Sequence, residues 1–169
     1  MVVFNLGYTA PINRAGQEPT LTLAQVWAGL QRKVRHAQEF VPVIVECGVL
    51  SEEKDPSKDD VVVVTRTVRF KPGAGPGGQV KEVCKHYAPC RVDFYQQDGT
   101  TISNFVASGP SGEPEDLHMT YMFEWRHPDV EAGSEEAKKM EEAHRKTAKM
   151  AVESSIETIR RLVKEGKLE

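Results

Sequence analysis

The stretch whose reading decides the fold is Leu117-His118-Met119-Thr120-Tyr121-Met122-Phe123-Glu124-Trp125-Arg126, followed after His127-Pro128 by an uninterrupted run from Ser134 to Gly166. In the first part Leu117, Met119, Tyr121, Phe123 and Trp125 alternate with His118, Thr120, Met122, Glu124 and Arg126. That is the period-two pattern of a strand with one strongly aromatic face. In the second part Ser134-Glu135-Glu136 supplies a cap and two negative charges at the positive end of a helix. A helix of roughly thirty residues is about 45 Å long at 1.5 Å per residue, enough to cross a whole sheet. Its inward stripe opens with Met140, His144, Thr147, Ala148, Ala151 and Ser155, and turns large only at Ile156, Ile159, Leu162 and Val163. Small residues there predict space beneath the first half of the helix.

Upstream of this unit the elements read outward as hairpins. Val61 to Phe70 is dense in β-branched residues, and Lys71-Pro72-Gly73 ends it in a glycine- and proline-rich loop through Gly78. Strands are predicted over Val80 to Tyr87 and Arg91 to Gln97, and Asp98-Gly99 offers a hairpin turn into Thr100 to Ser108. Nearer the N-terminus, Val2 to Ala10 reads as a strand. Thr22-x-x-Gln25 reads as a capping box opening a helix whose apolar stripe is Leu23, Val26, Trp27, Leu30, Val34 and Ala37. Gln31, Arg32, Lys33 and Arg35 are assigned mostly to its opposite, solvated side. After Pro42 an extended segment from Val43 runs toward Leu50, and the polar composition from Ser51 to Asp60 predicts a turn. Strand, helix, about six consecutive strands and one long helix define an antiparallel α+β fold of one domain, 1–169, without βαβ alternation.

Composition excludes several function classes. The 169 residues carry 22 basic and 25 acidic side chains, for a net charge of -3, so no general attraction to phosphate backbones is expected and nucleic acid is not an expected partner. No run approaches the roughly 18 apolar residues of a spanning helix, and the N-terminus lacks a signal-peptide order, so the expected location is cytoplasmic. Cys47, Cys84 and Cys90 are read as free thiols. Cys84, His86 and Cys90 lack the paired spacing of structural zinc, so neither metal nor cofactor is expected. The glycines from Gly73 to Gly78 lack the lysine and following helix of a phosphate-binding loop and are read as a turn or a lid.

The order of elements resembles the helix-grip fold of the START-like, or SRPBCC, superfamily. Phe40-Val41-Pro42, Arg66-x-Val68-x-Phe70, the strand bearing Asn104 and Thr120-Tyr121-Met122-Phe123-Glu124-Trp125-Arg126 are similar to a bacterial and fungal family of unknown function within it. The resemblance implies a curved antiparallel sheet around a long C-terminal helix, with an internal cavity for a small hydrophobic or aromatic molecule. Such cavities serve transport in some members and cofactor-free chemistry in others. The implied function here is binding of an aromatic, polyketide-like metabolite, with cyclisation, dehydration or isomerisation in secondary-metabolite biosynthesis. A non-catalytic lipid or metabolite carrier or sensor, and a protein-interaction module, are the alternatives. The chain is expected as a monomer or homodimer.

The candidate chemistry rests on polar residues inside strand patterns. Arg66 alternates inward with Val64, Val68 and Phe70, where a charge needs a ligand anion or a partner such as Glu82. His86 has the residue type to shuttle a proton and Asn104 the amide to stabilise an enolate; each has an equally simple structural use. Glu124, between Phe123 and Trp125, is a candidate acid or base, although alternation turns it away if the aromatic face lines the cavity. Tyr121 and Tyr87 carry hydroxyls able to orient a phenolic ligand. The expected lining is Trp27, Phe40, Val64, Val68, Phe70, Phe94, Phe105, Met119, Tyr121, Phe123, Thr147 and Ala151.

Overall fold

The computed structural model describes residues 1–168. Strand β1 (Val2–Pro11) is followed by helix α1 (Leu23–Arg35), a short 3-10 turn (Ala37–Glu39) and six strands: β2 (Ile44–Asp55), β3 (Lys58–Phe70), β4 (Gln79–Tyr87), β5 (Arg91–Gln96), β6 (Thr101–Ser108) and β7 (Leu117–His127). Helix α2 (Glu135–Lys164) closes the chain. The strands form one antiparallel sheet in the order β1-β7-β6-β5-β4-β3-β2. Each strand from β2 to β7 lies beside its sequence neighbour, and only β1 crosses over, to pair with β7. This is the α+β helix-grip architecture expected from the order of elements.

The local signals act as read. The Thr22 hydroxyl accepts from the Gln25 backbone N–H at 3.2 Å while the Gln25 side chain accepts from Thr22 N–H at 3.0 Å, closing the capping box. Ser134 caps α2 through Ala137 N–H. The Asp98 carboxylate accepts from Thr100 N–H, and Gly99 takes a left-handed φ of 87° that a side chain would strain. The region from Ser51 to Asp60 differs from its expected reading. The β2–β3 pair continues through Glu52↔Val64, Glu53↔Val63 and Lys54↔Val62, so the turn shrinks to Pro56 and Ser57, held by Ser57 N–H and Oγ on Asp55. Charged composition marked these residues as solvated, which all but the buried Asp55 are. The β-branched partners across the ladder impose the extended conformation.

The core lies between the sheet's inner face and both helices, with Val26, Leu30 and Val34 of α1 and Val152, Ile156, Ile159 and Leu162 of α2 against Met119, Tyr121, Phe123 and Phe94. The helices touch at Gly29, where a Cβ would stand 2.5 Å from Ile159 Cγ1. Only a hydrogen at that position lets α1 settle onto α2. Arg160 of α2 donates to the Ile12 and Pro19 carbonyls, fastening the β1–α1 connection to the helix. The space expected beneath the small residues of α2 is occupied by aromatic rings. His144 stacks on Trp125 at 4.0 Å, and Trp125 stacks on Phe123 at 4.3 Å.

Candidate functional site

Antiparallel register places one residue of each strand in a row across the inner face. Val62, His86, Val92, Asn104, Tyr121 and Tyr8 are consecutive cross-strand partners from β3 to β1. Directly opposed residues project to the same side of a sheet, so His86, Asn104 and Tyr121 share the interior. Asn104 is fully buried, and among the described residues neither its amide oxygen nor its amide nitrogen has a hydrogen-bond partner. A buried, unmatched amide costs about 1–3 kcal/mol, which marks it as a position needing an explanation. His86 is buried as well. Its Nδ1 lies 3.2 Å from the Val62 carbonyl, which only accepts, so Nδ1 carries the proton and Nε2 keeps the lone pair. That Nε2 is buried without a partner among the described residues. Desolvation holds the imidazole pKa below its ordinary value, so the ring is neutral at neutral pH.

Beside this row lies a charged cluster. The Arg66 guanidinium binds Glu82 through Nε at 2.8 Å and Nη2 at 2.6 Å, and its Nη1 donates to the Lys33 and Val34 carbonyls at 2.9 and 2.8 Å. It satisfies carbonyls that the end of α1 leaves without intrahelical partners. Glu82 also accepts from Gln96 Nε2 at 2.9 Å. Lys33 is 8% exposed, and its Nζ donates to the Tyr121 hydroxyl at 3.1 Å, lying 4.2 Å from the centre of that ring. Burial, reinforced by the neighbouring Arg66 charge, lowers the Lys33 pKa to about 7. Burial pushes the Tyr121 hydroxyl above its ordinary value. The Cys84 thiol is pushed up to about 12 by the same cause, which keeps it protonated and unreactive.

Several expected site residues stand elsewhere. Glu124 pairs with Thr101 and Asn5 across the ladder, on the outer face, and binds Arg126; it is not available as an interior acid or base. The reason is alternation: with Phe123 and Trp125 inside, the residue between them must face out. Phe105 is opposed to Arg91 and Thr120 on that same outer face, and Tyr87 carries the Arg91 guanidinium over its ring at 3.9 Å. Thr147 is solvent-exposed, its hydroxyl donating to the Ala143 carbonyl, because the buried stripe passes instead through Ala148, Val152 and Ser155. Arg66 does face inward, but pairs with Glu82. Phe40, Val64, Phe94, Met119, Tyr121 and Phe123 are buried in the main core with Trp27 and Ala151 packed against it. Val68 belongs to a separate cluster with Ala37 and Ile44, against which Phe70 packs.

Lys33 is the buried charged residue that the reading of the sequence missed. It was assigned to the solvated side of α1, yet Val26, Leu30, Lys33 and Ala37 follow one another at spacings of four, three and four, the rhythm of a buried stripe. The signal was present in the period and masked by residue type. Two clefts open at the rim of the fold. One of about 280 Å³ runs between β1 and the start of α2, and one of about 40 Å³ lies near Arg14 and Glu157. Among the described residues no helix is long and apolar enough to cross a membrane.

A curved seven-stranded sheet gripping a long C-terminal helix, with polar side chains on its inner face, defines the helix-grip class of the START-like superfamily. Two crystal structures of aromatase/cyclases share the fold. Zhui from Streptomyces sp. R1128 is 17% identical with a TM-score of 0.59, covering 96% of both chains. The di-domain protein StfQ of the steffimycin biosynthetic pathway is 9% identical with a TM-score of 0.64, and this chain spans 52% of its length. The crystal structure of Ara h 8.0201 has the same fold at a TM-score of 0.54 and 9% identity, covering 97% of this chain and 99% of that one. Within that class, residues 6–166 match the family model described as acetylaranotin biosynthesis cluster protein L. The Aspergillus terreus protein of that description is 31% identical over 166 residues, 98% of this chain and 94% of the relative. The chain belongs to this family.

Proposed function

We propose that the protein binds a small hydrophobic or aromatic, polyketide-like metabolite against the row His86, Val92, Asn104 and Tyr121, and promotes its cyclisation, dehydration or isomerisation without a cofactor. The observation that carries the reading is Asn104, fully buried with both amide atoms unpartnered. A substrate carbonyl takes the amide N–H, and a substrate hydroxyl or enol donates to the amide oxygen. Val92 forms an apolar floor between Asn104 and His86, and Trp27 stands edge-on against the His86 ring at 6.1 Å. The neutral His86 offers its Nε2 lone pair to an acidic C–H or O–H of the bound molecule. Amide stabilisation of a developing enolate contributes about 10²–10³-fold, and positioned proton transfer about 10²–10⁴-fold. Membership of a family whose described member belongs to a biosynthesis cluster supports an acceptor of this kind.

The test is a titration of the purified protein with hydroxylated polycyclic aromatics and fatty ligands, read by tryptophan fluorescence, followed by incubation with linear β-polyketones and product analysis. Aromatic binding that weakens at least about tenfold in Asn104→Leu is expected, the loss of one or two hydrogen bonds to a buried polar group. Product formation that falls in both Asn104→Leu and His86→Leu identifies a catalyst, whereas binding without turnover identifies a carrier. Failure of every ligand in the panel to bind refutes the reading.

A further inference from the structure

We propose that Lys33 is a covalent catalyst whose Nζ captures a ketone carbonyl of the bound metabolite as an imine; this deepens the proposed function and rests on the same interior site. The geometry is that of an amine kept for chemistry rather than for an ion pair. Lys33 is buried, and among the described residues no carboxylate lies within ion-pair distance of it. The nearby Glu82 is committed to Arg66 on one side and to Gln96 on the other. Lys33 Nζ and the Arg66 guanidinium carbon lie 5.9 and 5.2 Å from the centre of the same Phe94 ring, and the guanidinium is held in place by Glu82 and the α1 carbonyls, so a fixed positive charge shares the amine's surroundings. The groups facing Nζ are Tyr121 from β7 and Phe94 from β5. Lysines desolvated among apolar groups and next to another cation lose their proton readily and become nucleophiles.

A second observation places the acceptor. Asn104 is the direct cross-strand partner of Tyr121 on the inner face, and its unpartnered amide is fully buried there. In the proposed complex a 1,3-dicarbonyl compound places one carbonyl on the Asn104 amide and the other beside Lys33 and Tyr121.

The step balances within the site. Nζ attacks the carbonyl carbon and forms a carbinolamine. As the C–O bond breaks, the Tyr121 hydroxyl gives its proton to the departing oxygen, which leaves as water, and the nitrogen lone pair closes the C=N bond. Loss of a proton from the adjacent carbon to the tyrosinate restores the hydroxyl and yields an enamine. The enamine carbon then forms a bond to a second carbonyl of the same molecule, whose C=O π bond breaks as its oxygen takes the Tyr121 proton; addition of water to the resulting iminium releases the ketone and the free amine, and the remaining proton returns to the tyrosinate.

The test uses pentane-2,4-dione, which condenses with unprotonated amines, on the intact folded protein at about pH 7.5, where a surface lysine is almost wholly protonated. Intact mass and peptide mapping should give one adduct per chain, on Lys33, formed at least about tenfold faster than on exposed Lys138 or Lys146. Lys33→Met should abolish it. The wild-type peptide map decides the matter even if that variant fails to fold, because labelling of surface lysines with Lys33 untouched overturns the proposal. Aromatic ligand binding is measured on the same preparation. Binding without a Lys33 adduct overturns the covalent role alone, and loss of both overturns the function on which it rests.

Discussion

Replacing Lys33 by methionine separates two forces acting on one buried amine. If desolvation and the Arg66 charge prevail over attraction to Glu82, the ammonium loses its proton near pH 7 in the folded chain but near 10.4 in the unfolded one. Between those values the unfolded chain binds more protons than the folded one, so stability rises with pH. Lys33 thus imposes a cost that is full below about pH 7 and relieved as pH rises toward about 10.4, amounting to roughly 4–5 kcal/mol at acid pH. Methionine has a similar volume and no charge, though it leaves the Tyr121 hydroxyl short of a partner at about 1–3 kcal/mol. Urea unfolding of wild type and Lys33→Met at about pH 6 and about pH 10 measures the balance. The difference between the two proteins should favour the variant by about 3–5 kcal/mol more at the lower pH. Other titrating groups cancel, being common to both chains. A pH-independent difference would show that Lys33 stays protonated as a third member of the Arg66–Glu82 pair, and would refute the reasoning.

Arg66→Leu should destabilise the protein by about 3–5 kcal/mol in urea unfolding, since it leaves Glu82 buried without its partner and two α1 carbonyls orphaned. The double variant Arg66→Met with Glu82→Leu should recover most of that loss, and an unrecovered loss would assign the cost to the helix carbonyls. His144, whose pKa burial lowers to about 4 and whose Nε2 lies 2.9 Å from that of His127, should make the fold less stable as pH falls from about 6.5 toward 4. The unfolded chain takes up that proton first. Thermal melts across this range should be flatter for His144→Phe, and an unchanged slope would show that His144 protonation is not linked to folding. Gly29→Ala should cost about 1–3 kcal/mol and loosen the α1–α2 contact, because the added methyl meets Ile159 at 2.5 Å; a neutral melt would show that α1 shifts freely.

Much of the fold was legible because the signals that set it are local. The capping box at Thr22, the Asp98-Gly99 turn and the alternation through Leu117 to Trp125 each act within a few residues, and the structure carries all three. Alternation also turned Glu124 outward, as soon as the aromatic face was known to be the inner one. The β2–β3 extension was not legible, because Glu52, Glu53 and Lys54 are held extended by valines eight to twelve residues away across the ladder.

The sequence by itself determined the order and type of elements, the antiparallel class and the aromatic inner face. Periodicity and turn chemistry depend on neighbours in the chain. Only the tertiary structure decided that Arg66 is matched by Glu82, that Lys33 turns inward without a carboxylate, and that Asn104 and His86 keep polar atoms unmatched. Whether a buried charge or amide is satisfied depends on groups brought together from α1, β3, β4, β6 and β7, at separations of up to 88 residues. Burial then sets their protonation, since the energy of a charge depends on what surrounds it in space rather than what precedes it in sequence.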